Sequence, residues 1–289
     1  MCTLVMLRRP ETRWPLIIAA NRDELSTRPW KGPARHWPDR PEVVAGKDMT
    51  AGGTWLGIND DGLFAAILNR PGTLGPAEGK RSRGELVLEA LDHAEARLAA
   101  EALQDLNPDS YRPCNLVIAD RYDAFWLRHA GSSASLRIRT PSGVWREIDP
   151  VHAAVVRAFG QTPSEAGASI DMPVAPAEII CQPIPPGFSM ITAHDLNDQA
   201  SPLIAHDLPR FQAAGPPDPA KGGWQAWIDL LGSRETPDGN PKNAMNVTGA
   251  GAFGTVCSHL LAIPAIGEPV MRFAAGRPDE TPFEPVDIS

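Results

Sequence analysis

The chain has 289 residues, of which 43% are hydrophobic and 21% charged, and it carries 27 basic against 35 acidic side chains, a formal net charge of -8. An acidic surface repels phosphate backbones, so we expect no nucleic-acid partner. No apolar run approaches the roughly 20 residues that cross a bilayer, and the N-terminal run is too short for a secretory signal. We therefore expect one cytoplasmic domain over residues 1–289, without a transmembrane segment.

Two short apolar runs near the start of the chain predict a β-hairpin. They span residues 2–7 and 16–20 and are separated by a polar turn that contains proline. The second run leads directly into the polar cluster Asn21-Arg22-Asp23-Glu24. A hairpin brings this cluster back toward Cys2, so a thiol and a carboxylate are expected to be neighbours.

A second hairpin is predicted by residues 54–59 and 63–69, which flank an Asp61-Gly62 turn. The arm that ends at Asn69 is apolar on both faces. Such a pattern is typical of a strand that lies between two layers rather than at a wet surface.

The rest of the chain alternates helical, loop and strand-like segments. Residues 84–106, with Leu98, Ala102 and Leu106 at helical spacing, predict one or two helices, and residues 223–231 predict an amphipathic helix. The Pro-, Ala- and Gly-rich residues 160–187 predict a loop, with a short helix at 175–180 as an option. Further strands are expected at 115–119, 124–128, 136–139, 144–148, 255–263 and 269–274. Strands at both ends with helices between them favour a layered α/β or α+β sandwich.

Cys2 is the first candidate for chemistry. If Met1 is removed, this residue carries both a thiol nucleophile and a free α-amine that can act as its base. The α-amine pKa of about 7.7 to 8.0 lies close to that of a free thiol, about 8.5. The alternative interpretation is a small apolar side chain in a strand. The cluster at residues 21–24 could likewise be a strand end with local turns and surface ion pairs, and Asn69 a turn former.

No metal or cofactor signature is present in the sequence. The four cysteines are scattered without C-x-x-C or Cys/His ligand spacing, and the seven histidines are isolated. A G-x-G-x-x-G match at residues 249–254 leads into a strand-like run, which indicates a glycine loop instead of a nucleotide site. Walker, H-E-x-x-H and G-x-S-x-G motifs are missing. We expect no metal, no cofactor, reduced thiols and a small-molecule partner.

Several motifs together resemble one family. They are Met1-Cys2, Ala19-Ala20-Asn21-Arg22-Asp23-Glu24, Arg28-Pro29, Gly52-Gly53-Thr54-Trp55-Leu56-Gly57 and Ser82-Arg83-Gly84-Glu85. This set resembles the NRDE family, also called the transport and Golgi organisation protein 2 family; the match is specific over the first 90 residues and looser beyond. The family is in turn similar to N-terminal nucleophile hydrolases of the penicillin V acylase and bile salt hydrolase type. The resemblance implies an α+β fold, a four-layer αββα sandwich.

The resemblance also implies an amidase site. By analogy Cys2 attacks a linear, non-peptide amide, Asp23 orients the α-amine, and Asn69 donates to the developing oxyanion. Substrate-binding roles are expected for Asn21, Arg22, Trp55 and His194. Neighbouring strand residues face opposite ways, so Arg22 is expected to point away from Asp23 unless the strand that carries both of them bulges. An arginine that those hydrolases carry before the Asn21 equivalent is absent here.

The rival hypothesis is a carrier without catalysis. The NRDE family has been linked to haem mobilisation and to Golgi and lipid homeostasis, so the same cleft could hold haem or a lipid as cargo in a trafficking role. The chain has no C-x-x-C-H motif, so haem would be held without a covalent bond. The sequence leaves the substrate and the oligomeric state open.

Overall fold

A computed structural model describes residues 2–131, 177–249 and 251–288, together with the backbone of five short strands between residues 133 and 175. The chain divides into two compact units. The larger comprises Met1–His129 and Ile179–Ser289, and the smaller comprises Ala130–Glu178. The expectation of a single domain stays a prediction. Part of the loop expected over residues 160–187 lies outside the described residues.

Six strands form the first sheet of the larger unit: β1 (Thr3–Arg8), β2 (Leu16–Leu25), β15 (Gly187–Ile191), β16 (Phe253–Ile263), β17 (Val270–Ala274) and β18 (Glu284–Pro285). Their order is β15-β1-β2-β16-β17-β18, and all neighbours are antiparallel. The first hairpin is confirmed, because β1 and β2 pair with Thr3 opposite Asn21. The longest pairing joins β2 to β16, near the far end of the chain.

Seven strands form the second sheet: β3 (Trp30–Ala34), β4 (Val43–Asp48), β5 (Leu56–Asn59), β6 (Phe64–Asn69), β7 (Cys114–Ala119), β8 (Ala124–His129) and β14 (Ile179–Pro183). Their order is β14-β8-β7-β6-β5-β4-β3. The hairpin of β5 and β6 is confirmed, and Gly62 in its turn has a φ of 82°, which favours glycine. The optional helix at 175–180 is wrong. β-Branched Ile179 and Ile180 suit a strand, and both pair with β8.

In the part of the chain that the structure describes, four α-helices cover the outer faces of the two sheets: α1 (Gly84–Leu91), α2 (Ala96–Gln104), α3 (Pro202–Ala214) and α4 (Gln225–Leu231). The helices expected within 84–106 and 223–231 are confirmed. The residues whose spacing predicted this helix do not form the buried face of α2, because Leu98 is 50% exposed. The buried residues are small ones and one leucine, which let α2 lie close to the sheet: Ala96, Ala99, Ala100 and Leu103.

Three apolar clusters fix the order of the layers. The first lies between the sheets and combines residues of both, such as Ile18 from β2 and Phe64 from β6. The second joins α1 and α2 to the second sheet, and the third joins α3 and α4 to the first sheet. The layers therefore run helix, sheet, sheet, helix, which confirms the α+β αββα sandwich.

Asn115 ties the two sheets together beside the N-terminal end of β1. Its Nδ2 donates to the carbonyls of Thr192 and His194, just after β15, at 2.9 and 2.8 Å. Its Oδ1 accepts from Arg70 at 2.7 Å and from Trp126 at 3.2 Å. Since every polar atom of this buried amide is used, the end of the sandwich that carries Cys2 is held in a defined geometry.

The smaller unit consists of short antiparallel strands: β9 (Ser133–Ala134), β10 (Leu136–Arg139), β11 (Trp145–Ile148), β12 (Ile170–Asp171) and β13 (Val174–Ala175). They pair in the orders β11-β10-β12 and β13-β9. The strands expected at 136–139 and 144–148 are therefore confirmed. Among the helices that the structure describes, none is both long and apolar enough to cross a membrane.

Candidate active site

A cavity of about 380 Å³ opens at the N-terminal end of β1. It is lined by the ends of β2 and β6, by Trp55 before β5, and by the segment that leads into α1. Five of the seven residues expected at the site line it: Cys2, Arg22, Asp23, Trp55 and Asn69. The structure thus brings the expected nucleophile, carboxylate and oxyanion donor to one cavity.

Cys2 lies at the mouth of this cavity and is half-buried. Extending the pairing of β1 and β2 by one residue places Cys2 beside Arg22, one position from Asp23. The Cys2 thiol donates to the backbone carbonyl of Asp23 at a distance of 3.8 Å. Burial, and then the negative charge of Asp23, raise the pKa of the Cys2 thiol. While Cys2 is joined to a preceding residue, its thiol is therefore held protonated at neutral pH.

Asp23 is 2% exposed and is fixed by a partner from the far end of the chain. Its Oδ1 accepts a 2.7 Å hydrogen bond from the hydroxyl of Thr255. Burial raises the pKa of the Asp23 carboxyl. The register of β16 against β2 shifts between Thr255 and Cys257, opposite Asp23 and Arg22. The extra residue, Val256, lies in β16 and not in β2, the strand in which a bulge was considered, yet both Arg22 and Asp23 line the cavity.

The Arg22 guanidinium lies over the ring of Trp55. It is 4.0 Å from the centre of the Trp55 ring, and its Nη2 lies 3.4 Å from Oδ2 of Asp48. That same carboxylate oxygen accepts a 2.6 Å hydrogen bond from Nε of Arg28. Although burial alone raises the pKa of Asp48, hydrogen bonds from Arg28 and from two backbone N–H groups leave it lowered. Asp48 is therefore a stable anion that holds both arginines.

The position of the Trp55 ring is fixed by a hydrogen bond to the first sheet. Its Nε1 donates a 3.0 Å hydrogen bond to Nε2 of His259. Burial, with a smaller effect of the Arg22 charge, lowers the pKa of His259 to about 3, so the ring is neutral and can accept. A Cβ atom on Gly46 would lie 2.3 Å from the Trp55 ring, so only glycine fits there.

Asn69 ends β6 with its side chain at the cavity. Its backbone lies in the sheet, opposite Cys114 of β7. Its side-chain amide makes no hydrogen bond to any residue that the structure describes. An amide N–H at the end of a rigid strand is a suitable donor for an oxyanion. The position matches the role expected for Asn69.

Asn21 and His194 do not line this cavity. The Nδ2 of buried Asn21 donates to the carbonyls of Leu231 and Met245 at 3.0 and 2.8 Å, and its Oδ1 accepts from Ser258 at 2.6 Å. Asn21 therefore fastens the end of α4 to the first sheet. The ring of His194 lies 3.7 Å from the carboxylate of Asp198. Binding roles for Asn21 and His194 stay predictions.

Two glycines bring the cavity wall together. A Cβ atom on Gly53 would lie 2.6 Å from the carbonyl carbon of Gly84, and the N–H of Thr54 donates to the Gly84 carbonyl at 3.2 Å. This close approach places Arg83 at the cavity. Arg83 lies in one of the motifs that indicated the family, but its cavity role was not foreseen; Asp48, Arg112 and Thr255 gave no sequence signal.

All four cysteines are free thiols. No group of three or more His, Cys, Asp or Glu side chains that could hold a metal ion occurs among the described residues.

The fold is similar to that of a Caenorhabditis elegans N-acylethanolamine-hydrolyzing acid amidase ortholog. The TM-score is 0.51 at 12% sequence identity, and the match covers 92% of this chain and 94% of that chain. This chain therefore shares its overall fold with that protein.

Curated relatives match part of the sequence. Transport and Golgi organization protein 2 homologs of Bos taurus and Homo sapiens are each 39% identical to it over 110 residues. That segment is 36% of this chain and 38% of each relative, so the match spans well under half of their length. The family model Transport and Golgi organisation 2 matches residues 1–147, just over half of the 289 residues, and the chain belongs to this family.

Proposed function

We propose that the protein is a cysteine-dependent amidohydrolase that cleaves a linear, non-peptide amide with Cys2 as nucleophile. The observation that carries this proposal is that Cys2, Asp23 and Asn69 line one cavity in which the Asn69 amide makes no hydrogen bond to a described residue. The amide-hydrolysing relative with a similar fold supports the reaction class. Fold does not fix function, so the site carries the argument.

Activation requires cleavage of the peptide bond before Cys2. An amide nitrogen is not a base, and burial together with Asp23 raises the pKa of the thiol. Cleavage turns the Cys2 nitrogen into an amine close to Asp23, whose carboxylate favours the ammonium form and is oriented by Thr255. The amine can then take the thiol proton, so processing switches the nucleophile on.

The reaction then follows from the positions of three groups. The α-amine of Cys2 takes the thiol proton, and the thiolate attacks the amide carbonyl carbon. The Asn69 amide and a backbone N–H bind the oxyanion of the tetrahedral intermediate. The α-ammonium protonates the leaving nitrogen, the C–N bond breaks, and a thioester remains on Cys2. Water, deprotonated by the α-amine, attacks the thioester and releases a carboxylic acid, which restores the thiol.

Arg22 and Trp55 bind and position the substrate in this account. The Trp55 ring is fixed by its hydrogen bond to His259, and the Arg22 guanidinium lies over that ring. Trp55 and Arg22 therefore form one rigid wall of the cavity. A thiol nucleophile must stay reduced, which fits a cytoplasmic location. The substrate is a small molecule, because about 380 Å³ holds a compact ligand.

The alternative proposal is a carrier that holds haem or a lipid in the same cavity. The name of the family, Transport and Golgi organisation 2, favours a trafficking role. A carrier needs no free α-amine on Cys2 and forms no covalent intermediate, so the two proposals differ in one observable.

That observable is an acyl group on Cys2. Protein shown by intact mass to begin at Cys2 is incubated with N-hexanoyl-7-amino-4-methylcoumarin and, separately, with its carboxylate-bearing analogue N-hexanoyl-7-amino-4-methylcoumarin-3-acetic acid, quenched in acid and mapped by peptide mass spectrometry. We expect fluorophore release and a hexanoyl thioester on Cys2, both lost in Cys2→Ala and retained in Cys181→Ala. Release that persists in Cys2→Ala, or the lack of any adduct on Cys2, would overturn the proposal.

A further inference from the structure

The cavity beside Cys2 is rich in positive charge although the chain as a whole is acidic. Six basic side chains line it, against three acidic ones: Arg22, Arg28, Lys80, Arg81, Arg83 and Arg112 against Asp23, Glu24 and Asp48. The formal charge of the whole chain is -8. The basic lining is therefore a local feature of the cavity.

Half of these cations are neutralised by carboxylates. Arg22 and Arg28 share Asp48, as described above, and Nε of Arg28 also lies 3.8 Å from Oε2 of Glu24. Arg81 forms ion pairs with Glu85 and Glu89 at 2.8 and 3.0 Å. These three arginines consequently have little charge left for a ligand.

Arg83 and Arg112 have no such partner: among the described residues neither forms an ion pair with Asp or Glu. Nη1 of Arg83 donates to the hydroxyl of Thr73 at 2.9 Å and to the carbonyl of Pro113 at 3.0 Å. Its Nε and Nη2 have no hydrogen-bond partner in the described part of the chain. Two nitrogen atoms of this half-buried guanidinium, with three N–H donors between them, are thus available at the cavity.

Arg112 donates hydrogen bonds to uncharged backbone carbonyls. Its guanidinium donates to four of them in the turn that closes the cavity: those of Gly72, Leu74, Gly75 and Pro76, at 2.9 to 3.1 Å. These bonds shape the loop but leave the positive charge uncompensated. Lys80, at the rim, likewise donates to the backbone carbonyl of Asp109.

The two guanidinium groups line the same cavity and bond to the same loop: Arg83 donates to the Thr73 hydroxyl, and Arg112 donates to the carbonyls of Gly72 and Leu74 on either side of it. Burial, and to a smaller extent the charge of Arg112, lower the pKa of Arg83. Like charges held together without a counter-ion are costly, and a planar guanidinium binds carboxylate or phosphate with paired hydrogen bonds. An anion beside Cys2 would relieve that repulsion.

We propose that Arg83 and Arg112 bind a carboxylate or phosphate group of the substrate and so anchor its amide beside Cys2; this inference rests on the proposed function. The substrate class becomes an amide that carries a compact anion. Acyl amides with neutral head groups are then poor ligands.

The test is a binding measurement that does not depend on turnover. Cys2→Ala protein is titrated by calorimetry with three probes that share one acyl amide: N-hexanoylglycine, O-phospho-N-hexanoylethanolamine and neutral N-hexanoylethanolamine. We expect at least one anionic probe to bind about tenfold or more tightly than the neutral one. Raising the salt concentration should shrink this ratio. The better anion identifies the head group as carboxylate or phosphate.

Variants assign the preference to the arginines. Arg83→Gln should remove most of the preference for the anionic probe over the neutral one. Arg83→Lys, which keeps the positive charge, should retain part of that preference. Arg97→Gln is the matched control, because Arg97 pairs with Asp123 on the surface of α2, away from the cavity. Thermal unfolding of each variant shows whether it is folded.

Two results would overturn this inference. One is equal affinity for the three probes, or no binding of either anion. The other is a preference that survives in folded Arg83→Gln and Arg112→Gln alike. Failure of Cys2 to form a thioester would refute catalysis but leave these affinities unchanged, so the two proposals fail separately.

Discussion

The hydroxyl of Thr255 donates a 2.7 Å hydrogen bond to Oδ1 of Asp23, across the pairing of β16 with β2. The two residues are 232 positions apart in sequence and are both buried. The same hydroxyl oxygen accepts the backbone N–H of Val247 at 2.9 Å, so its orientation is fixed on both sides. The late strand β16 therefore orients the carboxylate that the early strand β2 supplies.

Thr255 is thus a positioning residue. In Thr255→Val, Asp23 loses a donor that lowers the pKa of its carboxyl, so this already raised pKa rises further. We expect the acid limb of the pH profile for Cys2 acylation to move to higher pH and the rate to fall about tenfold. The free energy of unfolding should fall by roughly 1–3 kcal/mol, since the buried N–H of Val247 is also left without its acceptor. Thr255→Ser should keep the profile, and an unshifted acid limb in Thr255→Val would assign Thr255 to structure alone.

Asn69→Ala should separate catalysis from stability. We expect turnover to fall about ten- to a thousandfold, the range for loss of one oxyanion donor. The free energy of unfolding should change by less than about 1 kcal/mol, because the Asn69 amide has no described partner.

A matched control for this change is Asn59→Ala. Buried Asn59 donates to the carbonyls of Leu91 and His93 at 2.9 and 2.7 Å. Its loss should lower stability by roughly 2–4 kcal/mol without a direct effect on the oxyanion. Unchanged turnover in Asn69→Ala would assign that residue to the turn after β6.

Asn21→Ala tests whether Asn21 binds substrate or only holds the fold. Loss of its three buried hydrogen bonds should lower the free energy of unfolding by roughly 2–4 kcal/mol. At temperatures where the variant is folded, its affinity for N-hexanoylglycine should match that of the unchanged protein. A clearly weaker affinity in calorimetry would instead support the binding role expected from the sequence.

His259 predicts a dependence of stability on pH. Its folded pKa of about 3 lies below the unfolded value of about 6.5, so the unfolded chain takes up the proton first. Its contribution to stability is present above pH 6.5 and is lost as the pH falls toward 3. Denaturant unfolding at pH 7 and pH 4 should show a loss about 3 kcal/mol larger in the unchanged protein than in His259→Gln, which keeps an acceptor for Trp55. Equal losses would mean that His259 is protonated in the folded state.

Local patterns predicted the hairpins and most of the helices. Alternation and turn residues located β1 with β2 and β5 with β6 because those pairings span few residues. Strand β3 was missed because Gly32 and Pro33 are unfavourable in strands. Helix α3 was missed because it begins at Pro202 and contains Pro209.

The candidate site shows a similar division. Cys2 was named from its place after Met1, and the roles of Asp23 and Asn69 came from the resemblance to the N-terminal nucleophile hydrolases. The first hairpin and the apolar strand that ends at Asn69 supported them. The partners that orient them come from distant segments whose pairing no local pattern specifies. Thr255 depends on the bulged register of β16, and Arg83 depends on the contact of Gly53 with Gly84.

The most direct test of the central claim is the reactivity of Cys2 once its α-amine is free. Burial raises the pKa of Cys114 to about 12 and also raises that of Cys181 and Cys257. In protein shown by intact mass to begin at Cys2, site-resolved iodoacetamide labelling near neutral pH should modify Cys2 at least about tenfold faster than Cys181, the half-exposed thiol among the other three. Asp23→Asn should slow Cys2 alone, as should retention of Met1. If Cys2 labels no faster than Cys181 in the processed protein, the activated nucleophile is contradicted.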